Sequence, residues 1–303
     1  MKRVLITGSN GFIGRHCLAG LIERGFEVHS VIRDKNTQID LPEVQWNVAD
    51  ILNPDDIKSL FEKIRPSYLI HLAWYTAPGA YWTSSENLNW LQSSIEILRA
   101  FKLYGGQRIL AIGTCAEYDW QFGYCSERVT PLAPSTLYST CKNALHEVLT
   151  SFARQEGISA AWGRIFFLYG PYEHPTRLVP SIINSLLDGR PALCTHGNQI
   201  RDFLYVEDVA SSLTALLDSE VEGAVNIASG KPVAVRDIIY RIAEKLGRPD
   251  LIQLGAISAP DSEVPLLVAN VSRLHQEVGW APHYDLDTGL EMTIDWWKRR
   301  KLL

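Results

Sequence analysis

The sequence predicts an α/β protein, a doubly wound parallel sheet with a smaller C-terminal lobe, and three observations carry that expectation. Short continuous apolar runs rich in β-branched residues alternate with longer amphipathic segments through the first half of the chain. A glycine triplet, Gly8, Gly11 and Gly14, stands between the first such run and the first amphipathic segment. Beyond about Gly170 the alternation becomes less regular and prolines punctuate the chain. With 303 residues, 46% of them hydrophobic, the chain is long enough to bury a large core.

Taken in order, Arg3 to Ile6 reads as a strand buried on both faces, and Ile13 to Arg24 as the helix after it. Glu27 to Ile32 is the second strand, and a third ends near Val48. Pro54 and Asp55 give a helix start for the segment ending at Ile64. Tyr68 to Leu72, Trp90 to Tyr104, Arg108 to Ile112 and Tyr138 to Glu156 continue the strand and helix alternation. Pro171, Pro175, Pro180, Pro191, Pro232, Pro249, Pro260, Pro265 and Pro282 then divide the remainder into what read as short helices and loops, a lobe laid over the carboxyl edge of the sheet. The basic run Lys298 to Lys301 reads as a solvated helix end.

Charge and cysteine usage exclude several classes. A net charge of −5 offers no broad basic surface, so nucleic acid is not an expected partner. Five cysteines, Cys17, Cys115, Cys125, Cys141 and Cys194, are odd in number and lack paired Cys-x-x-Cys elements, which argues against a disulfide framework or a structural zinc, and no metal is expected. The apolar stretch after Lys2 and Arg3 is only Val4, Leu5 and Ile6, too short for a signal-peptide core or a membrane span. A cytoplasmic protein is the expectation.

Thr7-Gly8-Ser9-Asn10-Gly11-Phe12-Ile13-Gly14 follows the first strand directly. Gly8 permits a tight turn, Gly11 lets the backbone approach a pyrophosphate, and Gly14 allows close helix packing. Phe12 and Ile13 lie where the helix N-terminus offers unpaired N–H groups and partial positive charge to a dinucleotide. At the end of the second strand an acid accepts ribose hydroxyls, whereas an arginine pairs with a 2′-phosphate. Ile32 occupies the acid's position and Arg33 follows it, which points to NADP(H); Asp34 keeps NAD(H) open. Asp50 and Ile51, just past the third strand, are placed to meet the adenine, or else form a capping Asp and a core Ile.

Tyr138 and Lys142 are four residues apart in a helical pattern and share one face. Using a tyrosine near pH 7 requires a shift of about three units from its reference pKa, worth roughly 4 kcal/mol. An ammonium at about 4 Å in an effective dielectric of about 20 supplies roughly that much. Thr114 follows the strand Ile109 to Ile112 and so sits at a carboxyl end of the sheet, where its hydroxyl can donate to a substrate oxygen or simply cap the strand.

The order Thr-Gly-x-x-Gly-x-x-Gly, His71-Leu72-Ala73, Thr114 with Tyr118, and Tyr138-x-x-x-Lys142 resembles the extended short-chain dehydrogenase/reductases that act on nucleotide sugars, the NAD-dependent epimerase/dehydratase family. The resemblance continues through Arg164 to Pro171, through Arg201-Asp202-Phe203-Leu204-Tyr205-Val206-Glu207-Asp208, and through Val278-Gly279-Trp280-Ala281-Pro282. It implies a Rossmann domain over residues 1–165 with a returning segment at about 200–230, and a lobe, mainly residues 166–303, for a nucleotide-diphosphate sugar. It implies that Leu72 and Ala73 meet the cofactor, that Arg201 holds phosphate or nucleotide, and that Arg177, Leu178, Cys194 and His196 line the base and diphosphate site. A homodimer is also implied.

Two departures shape the functional expectation. Phe167 stands where most members of that family carry an asparagine facing the substrate. Thr114 is followed by Cys115 and Ala116, with Glu117 one residue late for the acid that a dehydratase places there, which lowers dehydration. A reductase of a 4-keto-(6-deoxy) sugar with exchangeable NADPH is the leading expectation. A 4-epimerase retaining NAD and a non-catalytic NADP-sensing protein are the alternatives.

Overall fold

The computed structural model describes residues 2–260 and 263–302. In chain order its elements are β1 Arg3–Thr7, α1 Gly14–Glu23, β2 Glu27–Ile32, β3 Gln45–Val48, α2 Pro54–Ile64, β4 Tyr68–His71, α3 Glu86–Leu103 and β5 Arg108–Thr114. They continue as β6 Tyr124–Cys125, α4 Leu137–Glu156, β7 Ser159–Ile165, β8 Phe167–Tyr169, α5 Leu178–Leu187, β9 Ala192–Leu193, β10 Ile200–Tyr205 and α6 Val206–Asp218. The last are β11 Gly223–Ile227, β12 Pro232–Ala234, α7 Val235–Lys245, β13 Ile252–Gln253, β14 Leu266–Ala269 and α8 Leu286–Leu302.

Seven strands form one parallel sheet in the order β11-β7-β5-β4-β1-β2-β3. The order reverses at β1, and that is where an open α/β sheet leaves a crevice at its carboxyl ends. One face packs Leu5, Leu69, Ile97, Phe101, Leu145 and Trp162 with α2, α3 and α4. The other packs Val4, Ile6, Leu18, Leu21, Val209 and Leu213 with α1 and α6. Because both faces are covered, the strands read as continuous apolar runs rather than alternating ones. A second sheet, β12-β10-β14-β6 with β8 beside β10, joins α5, α7 and α8 in the lobe.

Two elements differ from the sequence expectation. Helix α3 begins at Glu86, four residues before Trp90. Its first turn buries Asn87, whose amide donates to Tyr81 O at 2.7 Å and Ser84 O at 2.8 Å and accepts from Trp74 Nε1 at 2.8 Å. A polar residue that fixes the preceding loop hides the start of the apolar period. The later helices are of ordinary length, 10 to 17 residues, because the prolines stand at their ends or, like Pro180, in a first turn where no intrahelical N–H bond is lost. The basic end of α8 is also engaged: Lys301 pairs with Asp188 and Arg300 lies over Trp296.

Two aspartates fix the lobe. Asp202 accepts from the backbone N–H groups of Ser229 at 2.8 Å, Gly230 at 2.9 Å and Ala269 at 3.2 Å. Asp208 does the same for His283 at 2.9 Å and Tyr284 at 3.0 Å. Both carboxylates are fully buried and satisfied by the backbone they organise.

Candidate active site

Strands β1, β2, β4 and β5 all end on the same side of the sheet, delivering the Gly8–Gly14 turn, Arg33, Leu72–Ala73 and Thr114 to one crevice. Gly8 has φ of 71°, and a Cβ there would lie 2.9 Å from Ala73 N and 3.2 Å from Leu72 C. Both the conformation and the space demand glycine. A Cβ on Gly14 would overlap the Gly8 carbonyl and lie 2.7 Å from Ser9 Cα, so α1 presses directly on the turn. Gly11 is less tightly held, its nearest neighbour being Gly8 O at 3.1 Å. Ile13 caps α1 with no side-chain acceptor; Arg15 N and His16 N are taken up by Gly11 O at 3.4 Å and Ile13 O at 3.1 Å, which leaves the N–H groups at the very start of the helix to a ligand. Phe12 packs into the lobe core. These residues fit a dinucleotide pyrophosphate: bare backbone N–H groups, a helix N-terminus and no side chain in the way.

At the end of β2, Ile32 is buried and Arg33 is exposed. Asp34 turns away, accepting from Asn36 N at 2.9 Å to cap the turn Lys35–Thr37; among the described residues no ion pair joins it to Arg33. That turn is tied to the glycine loop by Asn10 Nδ2 donating to Thr37 Oγ1 at 2.9 Å. Asp50 is exposed and accepts from Leu52 N at 3.0 Å, while Ile51 is a core side chain.

Helix α4 starts under a Thr136 and Ser139 capping box and carries Tyr138 and Lys142 one turn apart. Lys142, 4% exposed, donates to Ile112 O at 2.8 Å and stands 3.9 Å from the Trp74 ring centroid. Burial pushes its ammonium down to about 7. The Tyr138 phenol is raised, first by burial and then by the neighbouring Tyr81 and Glu117, with Thr114 hydrogen bonding pulling it part of the way back. The expected lowering of Tyr138 by Lys142 is therefore not found. The lysine is engaged by a carbonyl and an aromatic face, and desolvation acts on both groups. Tyr81 and Trp82 meet the Tyr138 ring edge-on at 4.9 and 5.6 Å, and Tyr138 N donates to Trp82 O at 3.1 Å. This aromatic surround was not anticipated, since the loop after His71 has no period to announce it.

Thr114 accepts from Ala116 N at 3.2 Å, and Glu117 accepts from Thr114 N at 2.8 Å. Glu117 is 0% exposed, paired with Arg164 Nε at 2.7 Å and bonded to Trp162 Nε1 at 3.0 Å. It builds the turn that presents Thr114 and does not face the crevice. Arg177 lies 5.3 Å over the Tyr81 ring, at the start of α5 beside Leu178. Arg201 is 6% exposed and pairs with Glu263 at 3.0 Å, and Phe167 lies beneath it at 5.6 Å. Cys194 packs into the lobe core, its N–H donating to Gln253 O at 3.0 Å and its carbonyl accepting from Ile257 N at 3.2 Å. His196 is exposed, with Nδ1 accepting from Asn198 N at 2.9 Å. Among the described residues no three His, Cys, Asp or Glu side chains are grouped to hold a metal ion, and no helix is long and apolar enough to cross a membrane.

Residues 4–228 match the model of the NAD dependent epimerase/dehydratase family. The chain is 27% identical to CDP-abequose synthase of Salmonella typhimurium over 95% of its own length and 96% of that protein. It is also 27% identical to a probable dTDP-glucose 4,6-dehydratase of Sinorhizobium fredii, over 97% and 92%. Among solved structures, the UDP-N-acetylglucosamine 4-epimerase of Methanobrevibacter ruminantium superposes with a TM-score of 0.88 at 21% identity, covering 99% of each chain. The UDP-glucose 4-epimerase of Thermus thermophilus, solved with NAD, gives 0.84 at 24%, covering 98% of this chain and 99% of that one. With the glycine cradle, the strand-end threonine and the Tyr138 and Lys142 pair in one crevice, this chain belongs to the NAD dependent epimerase/dehydratase family, as an enzyme of the extended short-chain dehydrogenase/reductase type.

Proposed function

We propose that the chain reduces a nucleotide-linked 4-keto-(6-deoxy) sugar with NADPH. The observation that carries this reading is the strand end of β2, where Ile32 is buried and the exposed Arg33 is the first side chain able to meet the adenosine ribose. The cradle of Gly8, Phe12, Ile13 and Gly14, with Leu72 and Ala73 behind it, would hold the dinucleotide, and Lys142 its nicotinamide ribose. When bound, the nicotinamide supplies the hydride. Tyr138 then gives its phenolic proton to the C4 oxygen, so the ketone gains one hydride and one proton to become the alcohol. Thr114 orients that oxygen. A phenol held protonated by burial suits the donor's part in reduction better than the base's part in oxidation. Arg177, Leu178 and Arg201 would hold the diphosphate on the lobe side, a reading supported for Arg177 by its place over the Tyr81 ring that meets Tyr138, and the resemblance to CDP-abequose synthase supports a deoxysugar nucleotide.

The second reading, a 4-epimerase retaining NAD, is favoured by the likeness to the UDP-sugar 4-epimerases. Cofactor affinity separates the two. A guanidinium paired with a 2′-phosphate contributes roughly 1.5 to 3 kcal/mol, about ten- to more than a hundredfold in affinity. Dissociation constants for NADPH and NADH should differ by that order in the wild type, and Arg33→Ala should weaken NADPH alone. Equal constants in the wild type, or NAD(H) retained through purification, would replace the reductase by the epimerase.

A further inference from the structure

The segment that leaves the central sheet for the lobe carries a stacked array that the reaction does not explain. Tyr172 has φ of 71°, the left-handed region that a bulky side chain adopts only when its surroundings hold it there. It is 45% exposed, yet its ring is flanked by the Arg15 guanidinium 3.7 Å from its centroid and by the Trp296 ring at 4.7 Å. Arg300 lies 5.1 Å over Trp296. The order Arg15, Tyr172, Trp296, Arg300 thus runs from the first turn of α1 to the last turns of α8.

Arg15 is also bonded to the cradle itself. Its Nε donates to Gly11 O at 3.2 Å and its Nη2 to Asn10 O at 2.7 Å. In a backbone anion site the N–H groups point at the ligand, so carbonyls of the same turn point away from it. A forked guanidinium behind the turn satisfies two of those carbonyls together and fixes their peptide planes. It also places a full positive charge at the back of the site. His16 Nε2, 3.4 Å from Pro171 O, adds a second tie between α1 and the strained segment.

We propose that Arg15 is a positioning residue for the dinucleotide cradle and that Tyr172 and Trp296 lock it in place, so that the C-terminal helix of the lobe sets part of the cofactor affinity. This rests on the cradle holding a dinucleotide, and not on which one or on the direction of hydride transfer.

The test is fluorescence titration of the full chain with NADPH and with NADH, following whichever binds more tightly. Arg15→Ala should weaken binding about tenfold, the loss of charge-assisted hydrogen bonds. Arg15→Lys should not restore it, because an ammonium lacks the planar fork that bonds both carbonyls while its flat face lies on the ring. Trp296→Ala should cost about threefold, and Trp296→Phe should stay close to the wild type. In the double variant Arg15→Ala/Trp296→Ala the two losses should not multiply, since Trp296 acts through Arg15. Multiplying losses, or equal weakening by Trp296→Phe and Trp296→Ala, would make the stack ordinary packing and overturn the proposal. If Arg15→Ala fails to fold, Arg15→Lys decides alone: wild-type affinity in that variant sinks the idea.

Discussion

Tyr138 shows how far a single residue's chemistry can be read before its surroundings are known. Its pairing with Lys142 was legible from spacing alone, because four residues in a helix place two side chains on one face. The sign of its pKa shift was not legible, since it depends on Tyr81, Glu117 and the depth of the crevice, none of which spacing reveals. Tyr138→Phe removes only the transferable proton. It should lower kcat by about two to four orders of magnitude while dinucleotide affinity stays within about threefold. Near-normal turnover would rule out Tyr138 as the donor. Arg33 shows the converse limit: its exposure was legible from its place at a strand end, whereas the turn that draws Asp34 away from it came only with the fold. The aspartates of the segment from Arg201 to Asp208 likewise stood out as a pattern, and their work proves to be hydrogen bonding to the lobe's backbone.

At the scale of the element, the sheet and its first helices were readable because strands covered on both faces must be apolar throughout. Helix α3 escaped at its start for the same kind of reason: Asn87 is buried for its hydrogen bonds, and periodicity counts it as polar. The turn Cys115–Glu117 was harder still. Glu117 looks like a misplaced catalytic acid in sequence, and only its pairing with Arg164 and the Thr114 N–H identifies it as a brace. Glu117→Gln would leave the Arg164 charge buried without its counterion. Losing one partner of a pair this deeply buried typically costs about 3 to 5 kcal/mol. Urea unfolding should show a loss of unfolding free energy of that size, read as a lower midpoint at an unchanged m-value, with turnover falling because Thr114 is no longer held. A variant as stable as the wild type would show that Arg164 finds another partner.

For the molecule as a whole, buried histidines tie stability to pH. His71 bonds Thr7 Oγ1 and Ser94 Oγ, each at 2.8 Å, and burial pushes its pKa down to about 3; His146 is pushed down to about 4, again chiefly by burial. The unfolded chain, with histidines near 6.5, takes up these protons first as pH falls. Stability from both is therefore complete above about pH 6.5 and is lost progressively toward pH 4 and 3, at up to about 1.4 kcal/mol per pH unit for each residue. His71→Gln should flatten the acid limb of a stability–pH curve by one such contribution, and an unchanged slope would mean that His71 is charged in the native state. The edge strand β11 bears on another matter, the order in which the molecule is made. It pairs with β7 through five residues, yet about 60 residues of chain separate the two strands. At roughly 5 to 20 residues per second, β7 waits about 3 to 12 s on the ribosome with one edge open. A nascent chain arrested just late enough for Ile165 to have emerged should accordingly need a chaperone to stay in solution, whereas one arrested late enough for Ile227 to have emerged should need it less. Equal chaperone capture of the two arrested chains would show that the sheet does not form until the lobe is complete.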